Sequence, residues 1–482
     1  MKLASLFSSI ACVLLAAGWA SASHAERVHR YAVSIDPGLT QISVRACFDG
    51  KPPIRLTAES LDAAAVLLSA QVEAPRKRLE PNGAELNLGS LPQDSCIAYI
   101  ADIANVQRRH DRTRGPARRV GPDLITDVGL WLWRPGALAK DEDIEVRFVL
   151  PEGVSASAPW KPVRGGDGAI AAYRIGRGPY DWPAAVAFGT FTERELEVGG
   201  ARLRVSLLHG SPEVEWDLVR QWLTRAAAAV TTLYGRFPVE TAQIIVVPGA
   251  RGDEPVPWAF VLRGGMASVH FFINQRRPLS EFLTDWTAVH ELSHLLLPYV
   301  RPEDAWLSEG SASYFQNVLR ARSGMITAAD AWQRLHSGFR RGMKSMPGIT
   351  LADATERMYR DGAFMRVYWH GAALLLLADQ RLRARTQGRE SLDTALAKLQ
   401  QCCLASDQGW QASTLFARLD ELTGTSVFGE LLAEQNASRF PDLSESYALL
   451  GLRVQEGGET IEMIDEGAQV ADRVAIMGRR SE

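Results

Sequence analysis

The sequence predicts a multidomain α+β protein: a β-sandwich-like N-terminal part, a mixed α/β middle and an all-helical C-terminal part. Three observations carry this. Apolar residues fill 46% of the 482 positions and 53 basic side chains nearly balance 56 acidic ones, the profile of a folding chain rather than a disordered one. At roughly 100–200 residues per domain, that length holds about three units, each able to bury its own core. The period of the apolar residues also changes along the chain, from alternation to a mixture to helical spacing. The formal charge of −3 argues against nucleic acid as the main partner, because a phosphate-binding surface needs a basic domain.

Residues 1–25 read as a cleaved leader rather than as part of the fold. Lys2 precedes an uncharged apolar run from Leu3 to Ala20, and Ser23 and Ala25 supply the small residues of a processing site before Glu26. The predicted location is therefore exported, periplasmic or secreted; the competing reading is a retained N-terminal anchor. No later stretch is long enough to span a membrane. Cys47, Cys96, Cys402 and Cys403 remain after cleavage and can oxidise in an exported chain. Cys47 and Cys96 form the expected bridge, whereas the adjacent Cys402 and Cys403 are too strained to pair comfortably with each other.

A β domain is expected over 26–208. Ile144, Val146, Phe148 and Leu150 alternate with polar residues, and Leu196, Val198, Gly199-Gly200, Leu203, Val205 and Leu207 read as a hairpin. Arg108, Arg109, Arg112, Arg114, Arg118 and Arg119 lack interleaved aromatics and read as a solvated loop. The middle unit, 209–345, opens on a helix capped by Ser211-Pro212 and running to Gly235. Strands follow at Gln243–Val247 and Ser268–Ile273, then one helix from Ser280 to Pro298 and another from about Asp304 to Gly324. The helical unit spans 346–454 with a long segment from Phe364 towards Gly388, and 455–482 reads as a charged, loosely packed tail.

The chemistry lies in the middle unit. His290-Glu291-Leu292-Ser293-His294 is an HExxH sequence, and on a helix positions i and i+4 share a face, so both imidazoles reach one ion. Glu291 falls beside that face, where it can take a proton from water. A catalytic zinc usually has three protein ligands and an open fourth position. The natural third ligand is a carboxylate on the next helix, and Glu309 stands fourteen residues beyond His294.

With Trp306-Leu307-Ser308-Glu309-Gly310, the chain resembles the gluzincin zinc metallopeptidases, in particular the glycyl aminopeptidase and membrane alanyl aminopeptidase families, without a PDZ domain. Tyr368-Trp369-His370-Gly371-Ala372 is similar to their Tyr-Glu-Lys-Gly-Ala motif, whose tyrosine steadies the oxyanion. Gly264-Gly265-Met266-Ala267 is similar to the Gly-Ala-Met-Glu or Gly-Gly-Leu-Glu strand that lies along the substrate and binds its free amine. The glutamate of that strand is replaced here by Ala267, and Asp253 and Glu254 are the nearest acids in the preceding loop.

The resemblance implies a thermolysin-like catalytic domain binding one zinc ion per chain through His290, His294 and Glu309. It further implies Glu291 and Tyr368 as catalytic residues, Gly264, Gly265, Met266 and Ala267 as the substrate strand, and peptides as substrates. The missing strand glutamate implies an enzyme that is not a strict aminopeptidase. The competing reading, from another class, is an exported peptide-binding or assembly protein with a structural zinc site.

Overall fold

A computed structural model describes residues 26–109, 115–404, 408–464 and 469–480. The leader 1–25, together with Arg112 and Arg114 of the basic stretch, lies outside the described residues.

Alternating apolar residues build the N-terminal part. Arg27–Ile35 sits in an eight-stranded sheet, parallel to Glu142–Val149 on one side and antiparallel to Gln41–Cys47 on the other. A four-stranded sheet has Ala185–Gly189 and Asp123–Asp127 at its centre. Both sheets feed one core: Val33, Val44, Tyr99 and Ile144 meet Leu124, Val186 and Phe188, with Trp131 and Trp133 between them. Cys47 and Cys96 stand opposite each other on neighbouring strands, Cα atoms 4.1 Å apart, and are disulfide-bonded.

A five-stranded mixed sheet follows, in the order Thr192–Val198, Ala201–Leu207, Thr241–Pro248, Ser268–Ile273, Trp258–Leu262. Its hairpin turns on Gly199 and Gly200, at φ of 54° and 79°, a left-handed pair that matches strand twist and that glycine adopts without cost. The sequence groups this hairpin with the preceding β part. In the structure its second strand pairs in parallel with Thr241–Pro248, a choice of neighbour that alternation alone does not encode. The last strand, Trp258–Leu262, pairs only with Ser268–Ile273, antiparallel, and forms the sheet edge among the described residues.

Three local expectations change here. The first helix begins at Trp216, not Ser211: Arg276 and Gln275 donate to the carbonyls of Ser211 and Pro212, tying that segment to a loop. The helix expected from Ser280 to Pro298 is broken into Leu279–Phe282 and Thr287–Ser293, followed by a 3₁₀ turn at His294–Leu296. Asp285 causes the restart, its carboxylate accepting the Ala288 N–H at 3.1 Å. Arg118 and Arg119 are not solvated loop residues but part of the strand Ala117–Val120. Arg118 is buried, with its guanidinium over Phe260 (5.6 Å) and Phe272 (5.2 Å), so the aromatic partners missing nearby in sequence come from the five-stranded sheet. Ile125, Ala187 and Phe191 pack with Ile245 and Val247 in the same interface.

The C-terminal region is helical, and its long helix, Phe364–Thr386, crosses Ala305–Arg322 at two glycines. A Cβ on Gly371 would stand 2.2 Å from the Trp306 carbonyl oxygen, and one on Gly310 would stand 2.5 Å from Gly371. Only glycine at both positions lets the backbones touch. The segment after 455 is exposed or half-buried over 455–464, but its last helix is docked: Gln469–Met477 is helical, Ile476 and Met477 are buried, and Arg480 pairs with Asp393 at 2.6 Å. Cys402 and Cys403, expected to stay apart, are disulfide-bonded to each other. They occupy the last helical residue of Leu392–Cys402 and its cap, where Cys403 leaves helical geometry and turns its thiol back. Among the described residues no helix is long and apolar enough to cross a membrane.

Candidate active site

The helix Thr287–Ser293 is buried along its whole length, with Val289 and Leu292 in the core beneath it. This fixes the opposite face, on which His290 and His294 lie with ring centroids 5.0 Å apart. The neighbouring helix Ala305–Arg322 brings three polar side chains to that face. Gln316 Oε1 stands 2.8 Å from His290 Nδ1, Ser308 Oγ stands 2.9 Å from His294 Nδ1, and Glu309 faces the other side of both rings. Glu309 Oε2 is 3.4 Å from His290 Nε2 and 3.7 Å from His294 Nε2. The three candidate donor atoms lie within 4.8 Å of one another.

This arrangement fits a divalent metal. A histidine that donates from Nδ1 to an oxygen presents an unprotonated Nε2, and two such lone pairs cannot hydrogen-bond a carboxylate. Glu309 Oε2 accordingly is buried with no hydrogen-bond partner. A cation resolves the standoff, and two imidazoles with one carboxylate form the ligand set of an open zinc site. Gln316 and Ser308 were not singled out in the sequence. Gln316 sits two turns after Glu309 on one helix face, a spacing that could have revealed it.

The surrounding charges treat the two rings differently. Burial pulls His294 down to about 4, leaving it neutral. Burial also opposes a charge on His290, but Glu309 and Glu291 outweigh it and raise that group. Burial would lift Glu309, yet the two histidines and the Tyr368 hydroxyl hold its carboxyl below the ordinary value. Glu291 is pushed up to about 7, first by burial and further by the nearby Glu309 charge, with His290 opposing.

Tyr368 lies on the long helix three residues before Gly371, so the glycine crossing brings its ring parallel to His290, 5.9 Å between centroids. Burial, then Glu309 and Glu291, push the phenol well above its usual range, so it stays a donor. The open side is a cavity of about 650 Å³ whose walls include Trp258, Phe260, Arg263, Tyr299, Tyr359 and Phe364.

His290, Glu291, His294, Glu309 and Tyr368 all line this cleft. Gly264, Gly265, Met266 and Ala267 do not. They form the turn between the last two strands, where the Gly264 and Met266 N–H groups donate to Pro183 and Pro159 carbonyls at 2.8 and 2.7 Å. The strand along the cleft is Trp258–Leu262, six residues earlier in the chain. Paired glycines drew the sequence reading to the turn, while the strand that lines the cleft is short and lies behind two prolines, Pro255 and Pro257. Asp253 and Glu254 are exposed and do not line the cleft.

No protein-family model matches the sequence, and no curated protein matches it. Solved structures do. An aminopeptidase N family protein from Idiomarina loihiensis superposes with a TM-score of 0.67 at 14% identity, over 89% of this chain and 79% of that one. An M1 zinc metallopeptidase from Deinococcus radiodurans superposes at 0.55 with 16% identity, over 87% of this chain and 95% of that one. A mutant of that peptidase bound to a Tyr-Ser-Ala substrate gives 0.55 at 15% identity, over 87% and 95%. The likeness is one of fold, which this chain shares with the M1 zinc metallopeptidases.

Proposed function

We propose that this chain is a zinc-dependent metallopeptidase that hydrolyses peptide bonds outside the cytoplasm, with one zinc ion held by His290, His294 and Glu309. One observation carries the reading: two imidazole Nε2 atoms and an orphaned carboxylate oxygen converge at a cleft that also holds Glu291 and Tyr368. The ion, when bound, supplies a Lewis acid that polarises a carbonyl and acidifies water. Glu291 takes the proton of the attacking water and delivers it to the leaving amine. Tyr368 donates to the oxygen that becomes negative as the carbonyl is attacked. A purely structural zinc site would need neither residue. The Cys47–Cys96 bridge supports an oxidising compartment and hence export after loss of residues 1–25. In this reading the catalytic unit begins with the hairpin at Thr192, ahead of the sequence boundary at 209, and the helical unit follows from 346.

Glu309→Ala tests the metal assignment. Purified wild type is expected to carry about one zinc per chain, and the variant, left with two protein ligands, to lose most of it on dialysis. Full retention, measured by elemental analysis, would place the third ligand elsewhere.

Strict aminopeptidase activity needs a carboxylate for the substrate ammonium. Among the described residues lining the cleft the only carboxylates are Glu291 and Glu309, both occupied by the chemistry above. A hydrogen bond to a charged group contributes about 1.5–3 kcal/mol, so its absence is expected to hold discrimination between free and acetylated N-termini below about 100-fold in kcat/KM. Matched peptides decide this, and a larger ratio would require an amine acceptor outside the cleft walls.

A further inference from the structure

Arg263, the residue after the edge strand, carries a charge that no carboxylate answers among the described residues. Its Nη2 donates to the carbonyls of His294 at 2.6 Å and Leu297 at 3.2 Å, which fixes the guanidinium beside the histidine motif. Those are its only hydrogen bonds, and no carboxylate stands within ion-pair distance among the described residues. Nε and Nη1 are not sealed in the core either, since neither is among the buried atoms without a partner. Burial lowers the guanidinium to about 10, with the Tyr299 phenol as its ionisable neighbour, so it remains a cation at neutral pH.

A partly buried cation without a counter-charge is unfavourable, and a ligand carboxylate is the group that matches its free edge. Arg263 is the one arginine or lysine among the described residues lining a cleft whose other walls are aromatic and small apolar side chains around the His290, Glu291, His294 and Glu309 cluster. Together with Tyr299 it also borders a second cavity of about 830 Å³, into which Arg202 and Arg236 face. Beyond Arg263 that second cavity carries two more arginines and one carboxylate, Glu240.

We propose that Arg263 determines specificity by binding a substrate carboxylate through Nε and Nη1, so that the cleft selects peptides with a carboxylate close to the bond being cut. This rests on the peptidase reading for the word substrate, but the binding it describes stands apart from hydrolysis. Two sources share the chemistry, the terminal α-carboxylate of a short peptide and an acidic side chain.

The test uses zinc-loaded Glu291→Gln protein, whose turnover is cut at least ~100-fold, titrated calorimetrically with two matched peptide pairs. One pair ends in a free carboxylate or a carboxamide, and the other carries an internal Glu or Gln. The carboxylate member of one pair is expected to bind about 10- to 100-fold tighter, and the pair that responds identifies the source. Adding Arg263→Gln is expected to bring that ratio to within about 3-fold, while Arg263→Lys retains part of it because the charge remains. Equal binding in both pairs overturns the proposal. So does a preference that survives Arg263→Gln, which would put the carboxylate on the metal or on another cation. The first comparison needs no change at Arg263, so a poorly folding variant does not protect the idea. Selective binding without hydrolysis in the wild type would sink the peptidase reading and keep this one. Hydrolysis with equal binding would do the reverse.

Discussion

Glu291→Gln is expected to keep about one zinc per chain while turnover falls at least ~100-fold. Glutamine preserves the shape and hydrogen bonding of the side chain but cannot accept a proton. The position is buried, and Glu291 is not among the three converging donor atoms, so metal retention has no reason to suffer. Its neutral replacement also removes a like charge beside Glu309, which favours the fold. Burial lifts the native carboxyl to about 7, the range in which a group both takes and returns a proton near neutral pH. Zinc content and kcat measured on one preparation check the expectation. Near-normal turnover would remove Glu291 from the mechanism, and loss of zinc would make it a support for the metal.

Tyr368→Phe is expected to lower kcat by about 100- to 1,000-fold with little change in KM. That corresponds to about 2.7–4 kcal/mol for one lost oxyanion donor. Phenylalanine keeps the ring that lies parallel to His290 at 5.9 Å, so the packing of the cleft is preserved. The hydroxyl also helps to hold the Glu309 carboxyl below its ordinary value, which gives the variant a second consequence. Zinc content separates them. A variant that keeps its zinc and loses kcat has lost a donor to the reacting oxygen. One that loses its zinc has lost a brace for Glu309, and unchanged kinetics would make Tyr368 an ordinary helix residue.

Much of this cluster was legible in the sequence because helices convert spacing into direction. His290 and His294, four apart, must share a face, and the following helix had to return past them, bringing Glu309 along. The α+β class and the helical C-terminal region followed from the same periodicities. What failed depended on partners distant in the chain. Arg118 looked solvated because Phe260 and Phe272, its stacking partners, lie far along the sequence. The segment 264–267 looked like the substrate strand because its glycines matched, but glycines also suit a tight turn, and the contacts with Pro159 and Pro183 make it one. The break before the HExxH helix came from Asp285, whose carboxylate competes for a backbone N–H within an otherwise helical pattern. The tail looked loose because charges and glycines run all through it, yet Ile476, Met477 and the Arg480–Asp393 pair dock its last helix.

The edge strand Trp258–Leu262 has a consequence for solubility. An open strand edge offers unpaired N–H and C=O groups to any other strand, and a second folded copy is the partner always at hand. Here that edge faces a cleft whose other walls are Tyr299, Tyr359, Phe364 and the histidine helix. Walls on both sides of a strand edge favour one extended chain over the rim of another folded sheet. A recess of this kind shields the Trp258–Leu262 edge from strand pairing between copies, while Thr192–Val198, at the opposite side of the sheet, has its charged side chains Glu193, Arg194, Glu195 and Glu197 for that purpose.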